Sequence, residues 1–119
     1  QMLAYLHEHY TEKITLEEIA SAGQISKSRC TAIFKEYLQE TPINHLISYR
    51  LTKATELLLY TDRTVTEIAY AVGFSGSSYF TEAFRKNFDH TPTEYRRKFT
   101  VQHRADGAAN SYYKVGREH

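Results

Sequence analysis

Three groups of side chains are of the types that reactive chemistry uses. Gly73-Phe74-Ser75-Gly76-Ser77 resembles the G-x-S-x-G turn that exposes a nucleophilic serine. Its last position is serine, however, and no strand precedes it, so a strand-to-helix elbow has no basis. His7 and His9 stand two apart on a stretch with helical spacing, which turns them in different directions, and no H-E-x-x-H occurs to make a zinc pair. Cys30 is the only cysteine, so no internal disulfide or Cys-based zinc cluster can form. It falls on an apolar stripe, where a free thiol behaves as a small hydrophobe. No enzyme, no metal and no cofactor are expected.

The chemistry that remains is hydrogen bonding and charge on two short helix faces. In the first, Cys30, Ile33, Phe34, Tyr37 and Leu38 follow the i, i+3, i+4, i+7, i+8 pattern of a buried stripe. The opposite face then presents Ser28, Thr31, Ala32 and Lys35, with Arg29 to one side. In the second, Phe80, Ala83, Phe84 and Phe88 take the core and leave Ser77, Ser78, Thr81, Glu82 and Arg85 outward. Hydroxyls, a methyl group and a carboxylate are what base edges in a DNA groove can be read with, so Ser28, Thr31, Ala32, Ser77, Ser78, Thr81 and Glu82 are base-contact candidates. Lys27, Arg29, Lys35, Arg85, Lys86 and Arg96 are phosphate-contact candidates, together with N–H groups at the helix starts near Ser26, Ser75 and Thr91. The alternative for each cation is solvated surface charge, and for Glu82 an i, i+4 pair with Lys86.

These faces need helices with defined ends. Thr64 can cap a helix start with Glu67 reaching back, Ile68, Ala69 and Val72 recur on one face, and Gly73 ends the helix. Phe74 plugs the corner and Ser75 is placed to cap the next helix. Earlier in the chain Ile14, Thr15 and Glu18 repeat the start signal, a short helix runs to about Ala22, the chain turns at Gly23-Gln24-Ile25, and Ser26 caps again. Each unit therefore reads as a helix-turn-helix. Thr15, Glu18, Ile19, Ala20 and Ala22 match Thr64, Glu67, Ile68, Ala69 and Ala71 at an offset of 49, and Ser26 and Ser28 match Ser75 and Ser77. Phe34, Thr41 and Pro42 match Phe84, Thr91 and Pro92 at an offset of 50, which puts one extra residue between Ser75 and Phe84. Two copies are too few for a solenoid.

Around the copies, Gln1 to Tyr10 has the spacing of a first helix. Pro42 to Tyr60 carries Ile43, Leu46, Ile47, Leu51, Ala54, Leu57 and Leu58 on one stripe with no internal Gly or Pro. It reads as a single helix about 25 Å long. Thr91 to Phe99 makes a last short helix with Glu94 in its capping box. The expected division is a first helix-turn-helix subdomain over 1–41, a linker helix over 42–60, a second subdomain over 61–99, and a tail over 100–119 that lacks period and is expected to be frayed.

The 15 Lys and Arg against 14 Asp and Glu leave a net charge of +1, so the sum announces no polyanion partner. The distribution does. Residues 1–24 hold Glu8, Glu12, Glu17 and Glu18 against Lys13, whereas 26–35 hold Lys27, Arg29 and Lys35 with no acid. Such polarity suits a positive face for nucleic acid. No run approaches the length of a membrane span. The chain begins at Gln1 rather than at a methionine, as expected of a segment of a longer protein.

Two helix-turn-helix units on a long helix, the second reading E-I-A-x-x-V-G-F-S-x-x-S-Y-F-x-x-x-F-[RK]-[KR]-x-F over Glu67 to Phe88 and followed by T-P-x-E-Y-R over Thr91 to Arg96, resemble the DNA-binding domain of bacterial AraC/XylS-type transcription regulators. The resemblance covers residues 1–99. It implies an all-α, bipartite domain of about seven helices whose two recognition helices enter successive major grooves of double-stranded DNA, about 34 Å apart. It also implies base contacts from positions 28 and 32 and from 77, 78 and 82, which here are Ser28, Ala32, Ser77, Ser78 and Glu82. Glu82 stands where the family commonly has arginine, so a guanine contact is not implied there; the carboxylate can instead accept from a cytosine amino group or pair with Lys86. Transcription activation in the cytoplasm, RNA polymerase as a partner, and an effector-binding or dimerisation domain ahead of Gln1 are further implications. A reading from another class is a helical protein-binding domain whose basic face docks an acidic partner.

Overall fold

Paired caps define the helices of this computed structural model, which describes the backbone of residues 1–109 and the side chains of 1–100. Thr15 Oγ1 accepts from the Glu18 N–H at 3.2 Å while Glu18 Oε1 accepts from the Thr15 N–H at 2.8 Å. The same reciprocal box closes at Thr64 with Glu67 and at Thr91 with Glu94. Ser26 and Thr41 cap through one bond each, and Pro42 follows Thr41 where its missing N–H costs nothing. The elements are α1 (Met2–Glu8), α2 (Leu16–Ala22), α3 (Lys27–Leu38), α4 (Pro42–Tyr60), α5 (Val65–Ala71), α6 (Ser77–Phe88) and α7 (Pro92–Ala109). The described residues are all-α, with two helix-turn-helix units, α2–α3 and α5–α6, on either side of α4.

Each unit has its own apolar core. The first gathers Leu6, Ile14, Ile19, Ala20, Cys30, Phe34 and Leu46; the second gathers Leu51, Ala54, Leu58, Ile68, Ala69, Val72, Phe74, Phe80 and Phe84. Helix α4 supplies residues to both and packs against every other helix. The two corners are built alike. Helices α2 and α5 end in the paired bonds of a Schellman motif, Ile25 N–H to Ala20 O and Gln24 N–H to Ser21 O in one, Phe74 N–H to Ala69 O and Gly73 N–H to Tyr70 O in the other. The left-handed position is Gln24 at φ 59° in the first and Gly73 at φ 106° in the second.

Five expectations need correction. Helix α6 starts at Ser77 with Gly76 at its N-cap and no side-chain cap bond, so Ser75 does not cap it. Gly76 corresponds to Ser26 at an offset of 50, so the extra residue lies in the turn, before the helix rather than inside it. Tyr37 is 72% exposed. The apolar stripe of α3 narrows to Cys30, Phe34 and Leu38, and Asn87, the counterpart of Tyr37, is likewise exposed. Helix α1 stops at Glu8, which frees Tyr10 to pack against both cores. Helix α7 continues to Ala109, past the expected end at Phe99; residues 110–119 of the expected tail lie outside the described residues.

Candidate nucleic-acid interface

Aromatic packing seats the second recognition helix. Phe80 meets Phe74 of the turn at 5.1 Å between ring centroids, and Phe84 meets Tyr95 of α7 edge-on at 5.4 Å. Edge-to-face geometry suits the ring quadrupoles and fixes the helix about its own axis. In the first unit Cys30 and Phe34 do the same work with smaller groups, and Phe34 lies edge-on to His45 at 6.0 Å. Burial pushes the Cys30 thiol pKa up, which keeps it protonated and inert.

With those faces inward, the structure exposes Lys27, Ser28, Arg29, Ala32 and Lys35 on α3, and Ser78, Glu82, Arg85 and Lys86 on α6. Thr31, Thr81 and Ser77 are half-buried at the margins of these surfaces. Thr31 and Thr81 occupy equivalent places, since both stand five positions past their N-cap residues, Ser26 and Gly76. Lys27 is engaged: its Nζ lies 3.2 Å from Glu17 Oε2. Both partners are largely solvated, so the pair is worth little and an incoming phosphate can displace it. Glu82 and Lys86 form no ion pair with each other, and neither takes part in any other among the described residues. The carboxylate is therefore not held by its helix neighbour.

Arg96 is half-buried and tied to the backbone. Its guanidinium donates from Nε to Leu58 O at 3.0 Å and from Nη2 to Thr61 O at 3.0 Å, which ties α7 to the C-terminal turn of α4. Two of its five N–H donors are thus spent on backbone, which gives Arg96 a structural tie within the domain. Two further residues lie outside the sequence candidates. Tyr79 is 57% exposed on the first turn of α6, its ring 5.7 Å from Phe74. The signal was present in its position directly beside Ser78. Arg50 lies half-buried on α4 and bonds to carbonyls far away in sequence, which no local pattern reveals.

Among the described residues no three His, Cys, Asp or Glu side chains gather as a metal site, and no helix is long and apolar enough to cross a membrane.

A helix-turn-helix domain family model matches residues 19–98. The uncharacterized HTH-type transcriptional regulator YdeC of Bacillus subtilis is 45% identical over 97 residues, which are 82% of this chain and 33% of that protein. The HTH-type transcriptional activator RhaS of an Enterobacter species is 36% identical over 96 residues, 81% of this chain and 34% of that one. The chain thus spans about a third of the length of these relatives. Among solved structures, the DNA-binding domain of AdpA, a global transcriptional factor crystallised with a target DNA, superposes with a TM-score of 0.80 at 26% identity, covering 85% of this chain and 91% of that one. Two helix-turn-helix units on one linker helix, the sequence match and the superposition agree: this chain belongs to the AraC/XylS-type helix-turn-helix family of DNA-binding transcription regulators.

Proposed function

We propose that the chain reads a bipartite site on one face of double-stranded DNA, with α3 and α6 in successive major grooves. The observation that carries this is the repetition itself, two recognition helices built on equivalent corners and held by one linker, each with an exposed polar face. In this reading Ser28, Thr31, Ala32, Ser77, Ser78, Thr81 and Glu82 meet base edges. Lys27, Arg29, Lys35, Arg85 and Lys86 meet phosphates and fix register. Serines accept either base type and Ala32 offers only a methyl contact, so specificity is modest per position and depends on having two boxes.

The output we infer is transcription activation in the cytoplasm through contact with RNA polymerase, by similarity to a relative named as an activator. A neighbouring effector-binding or dimerisation domain would supply the signal, as the share of the relatives' length left unmatched permits. No catalytic step belongs to this reading. Selection of bound duplexes from a random pool tests it. The expected result is two short boxes centred about one helical turn, roughly 10 base pairs, apart. Recovery of a single box, or failure to retain any duplex at low salt, overturns it; the second result would turn attention to an acidic protein partner for the same face.

A further inference from the structure

Arg50 makes the middle of the linker helix a joint between the two reading units. From α4 its Nε–H donates to Tyr10 O at 2.7 Å and its Nη2 donates to Glu12 O at 2.7 Å, partners 40 and 38 residues away in the chain. Both carbonyls belong to the loop between α1 and α2, so the first unit is clamped to the linker from outside its core. No carboxylate lies within ion-pair distance of this half-buried cation among the described residues, and burial pulls its pKa below the ordinary arginine value. A charge without a carboxylate partner is tolerated only where its hydrogen bonds are well made.

The same guanidinium meets the second unit. Its central carbon lies 6.0 Å from the centre of the Phe74 ring, in the corner that leads into α6. A Cβ added at Gly73 would fall 2.7 Å from Arg50 Nε and 2.7 Å from Tyr10 O. The corner of the second helix-turn-helix therefore presses on the arginine and on the loop of the first. Glycine is needed there twice, for the left-handed φ of 106° and for this approach. Tyr10, whose carbonyl takes the bond, packs against both cores and lies edge-on to Tyr49 of α4 at 5.2 Å. Loop, linker and corner meet at one side chain.

We propose that Arg50 is a positioning residue that locks α3 and α6 in one relative placement and so sets the spacing between the two DNA boxes the chain accepts. The inference rests on the DNA reading above for its consequence, though not for its geometry. A leucine or methionine at this position would fill the space without the two directed donors, leaving the units joined by α4 and the packing of Tyr10.

Two measurements test it. Spin labels at Glu36→Cys and Asn87→Cys, exposed sites on α3 and α6, report the distance between the units without DNA, while the buried Cys30 stays in place. A single narrow distribution is expected in the parent chain and a broadened or displaced one in Arg50→Met; Arg50→Lys, which keeps the charge but has no two-pronged donor, should show the same change. On DNA, duplexes carrying both selected boxes are compared with versions whose spacer gains or loses one base pair, and with single-box duplexes. The parent should discriminate against the altered spacers by about tenfold, and both variants should lose most of that discrimination while binding single boxes as before. An unchanged distance distribution, retained spacer discrimination, or equal weakening on single-box and two-box duplexes overturns the proposal. So does loss of the folded state in both variants, since Arg50 would then serve stability alone. If the parent binds no duplex, the DNA reading fails, and the distance measurement still decides the role of Arg50.

Discussion

Arg96 closes the C-terminus of α4 by donating to Leu58 O at 3.0 Å, with a second donor on Thr61 O at 3.0 Å. The last carbonyls of a helix have no partner within it, and a charged fork from α7 satisfies two that would otherwise face a half-buried junction. Arg96→Met should lower stability by about 1–3 kcal/mol in chemical denaturation. The salt dependence of DNA binding should be unchanged if the guanidinium serves only these carbonyls. A shallower salt slope at unaltered stability would return Arg96 to the phosphate contacts.

Lys35 and Arg85 occupy equivalent positions on α3 and α6, both exposed and neither in an ion pair among the described residues. Lys35→Ala and Arg85→Ala should each weaken binding to all duplexes alike and reduce the slope of log affinity against log salt by about one. Affinity that stays flat from low to physiological salt would count against phosphate contacts altogether.

Glu82 is exposed on the outward face of α6 and forms no ion pair among the described residues. Glu82→Ala should relax preference at one base pair of the second box, at a cost of roughly 1–3 kcal/mol against the preferred site. Randomised-site selection with the variant is the check, and an identical motif would remove the cytosine contact.

His7 on α1 and His45 on α4 face each other through their Nε2 atoms, 3.3 Å apart, with ring centroids at 5.6 Å, so the contact runs through nitrogens rather than ring faces. His45 Nδ1 lies 2.8 Å from Glu40 Oε2, so the carboxylate is taken to accept that proton and His7 to donate to His45. The His7 ring also lies flat on Tyr49 at 4.0 Å. Burial, then the positive potential of His45 and Lys53, hold the His7 pKa below its ordinary 6.5. The unfolded chain takes up that proton first. Stability from this group is therefore complete above pH 6.5 and is lost as the pH falls from there through the lower folded value. The slope should be no more than about 1.4 kcal/mol per pH unit. Urea unfolding of the parent and of His7→Phe between pH 5 and 8 tests this, and equal acid sensitivity in the two would locate it elsewhere.

Local chemistry explains which features could be read directly from the chain. The three capping boxes, the Thr-Pro helix starts and the buried stripes of α4 and α6 depend on residues within a turn or two of each other. Ser75 reads as a cap because a capping hydroxyl and a turn hydroxyl look the same in sequence until the helix start is located. The extra residue in the corner moves that start to Ser77. Tyr37 reads as buried because period alone cannot tell where a helix outruns its neighbours. The ties made by Arg96 and Arg50 are invisible in the sequence for one shared reason: their partners are main-chain oxygens 35 to 40 residues distant, and carbonyls carry no sequence signature.

The side chain of Tyr10 belongs to two cores at once, and helix α4 to both of them. Neither half can loosen without exposing apolar surface of the other, so the chain should unfold in one cooperative transition, seen as coincident far-UV and tyrosine-fluorescence melts. Separate transitions would show two independent units. An ancestral duplication can thus leave two similar halves that no longer work as interchangeable modules: exchanging one half for a related sequence would have to carry over the tyrosine, the arginine and the glycine corner together.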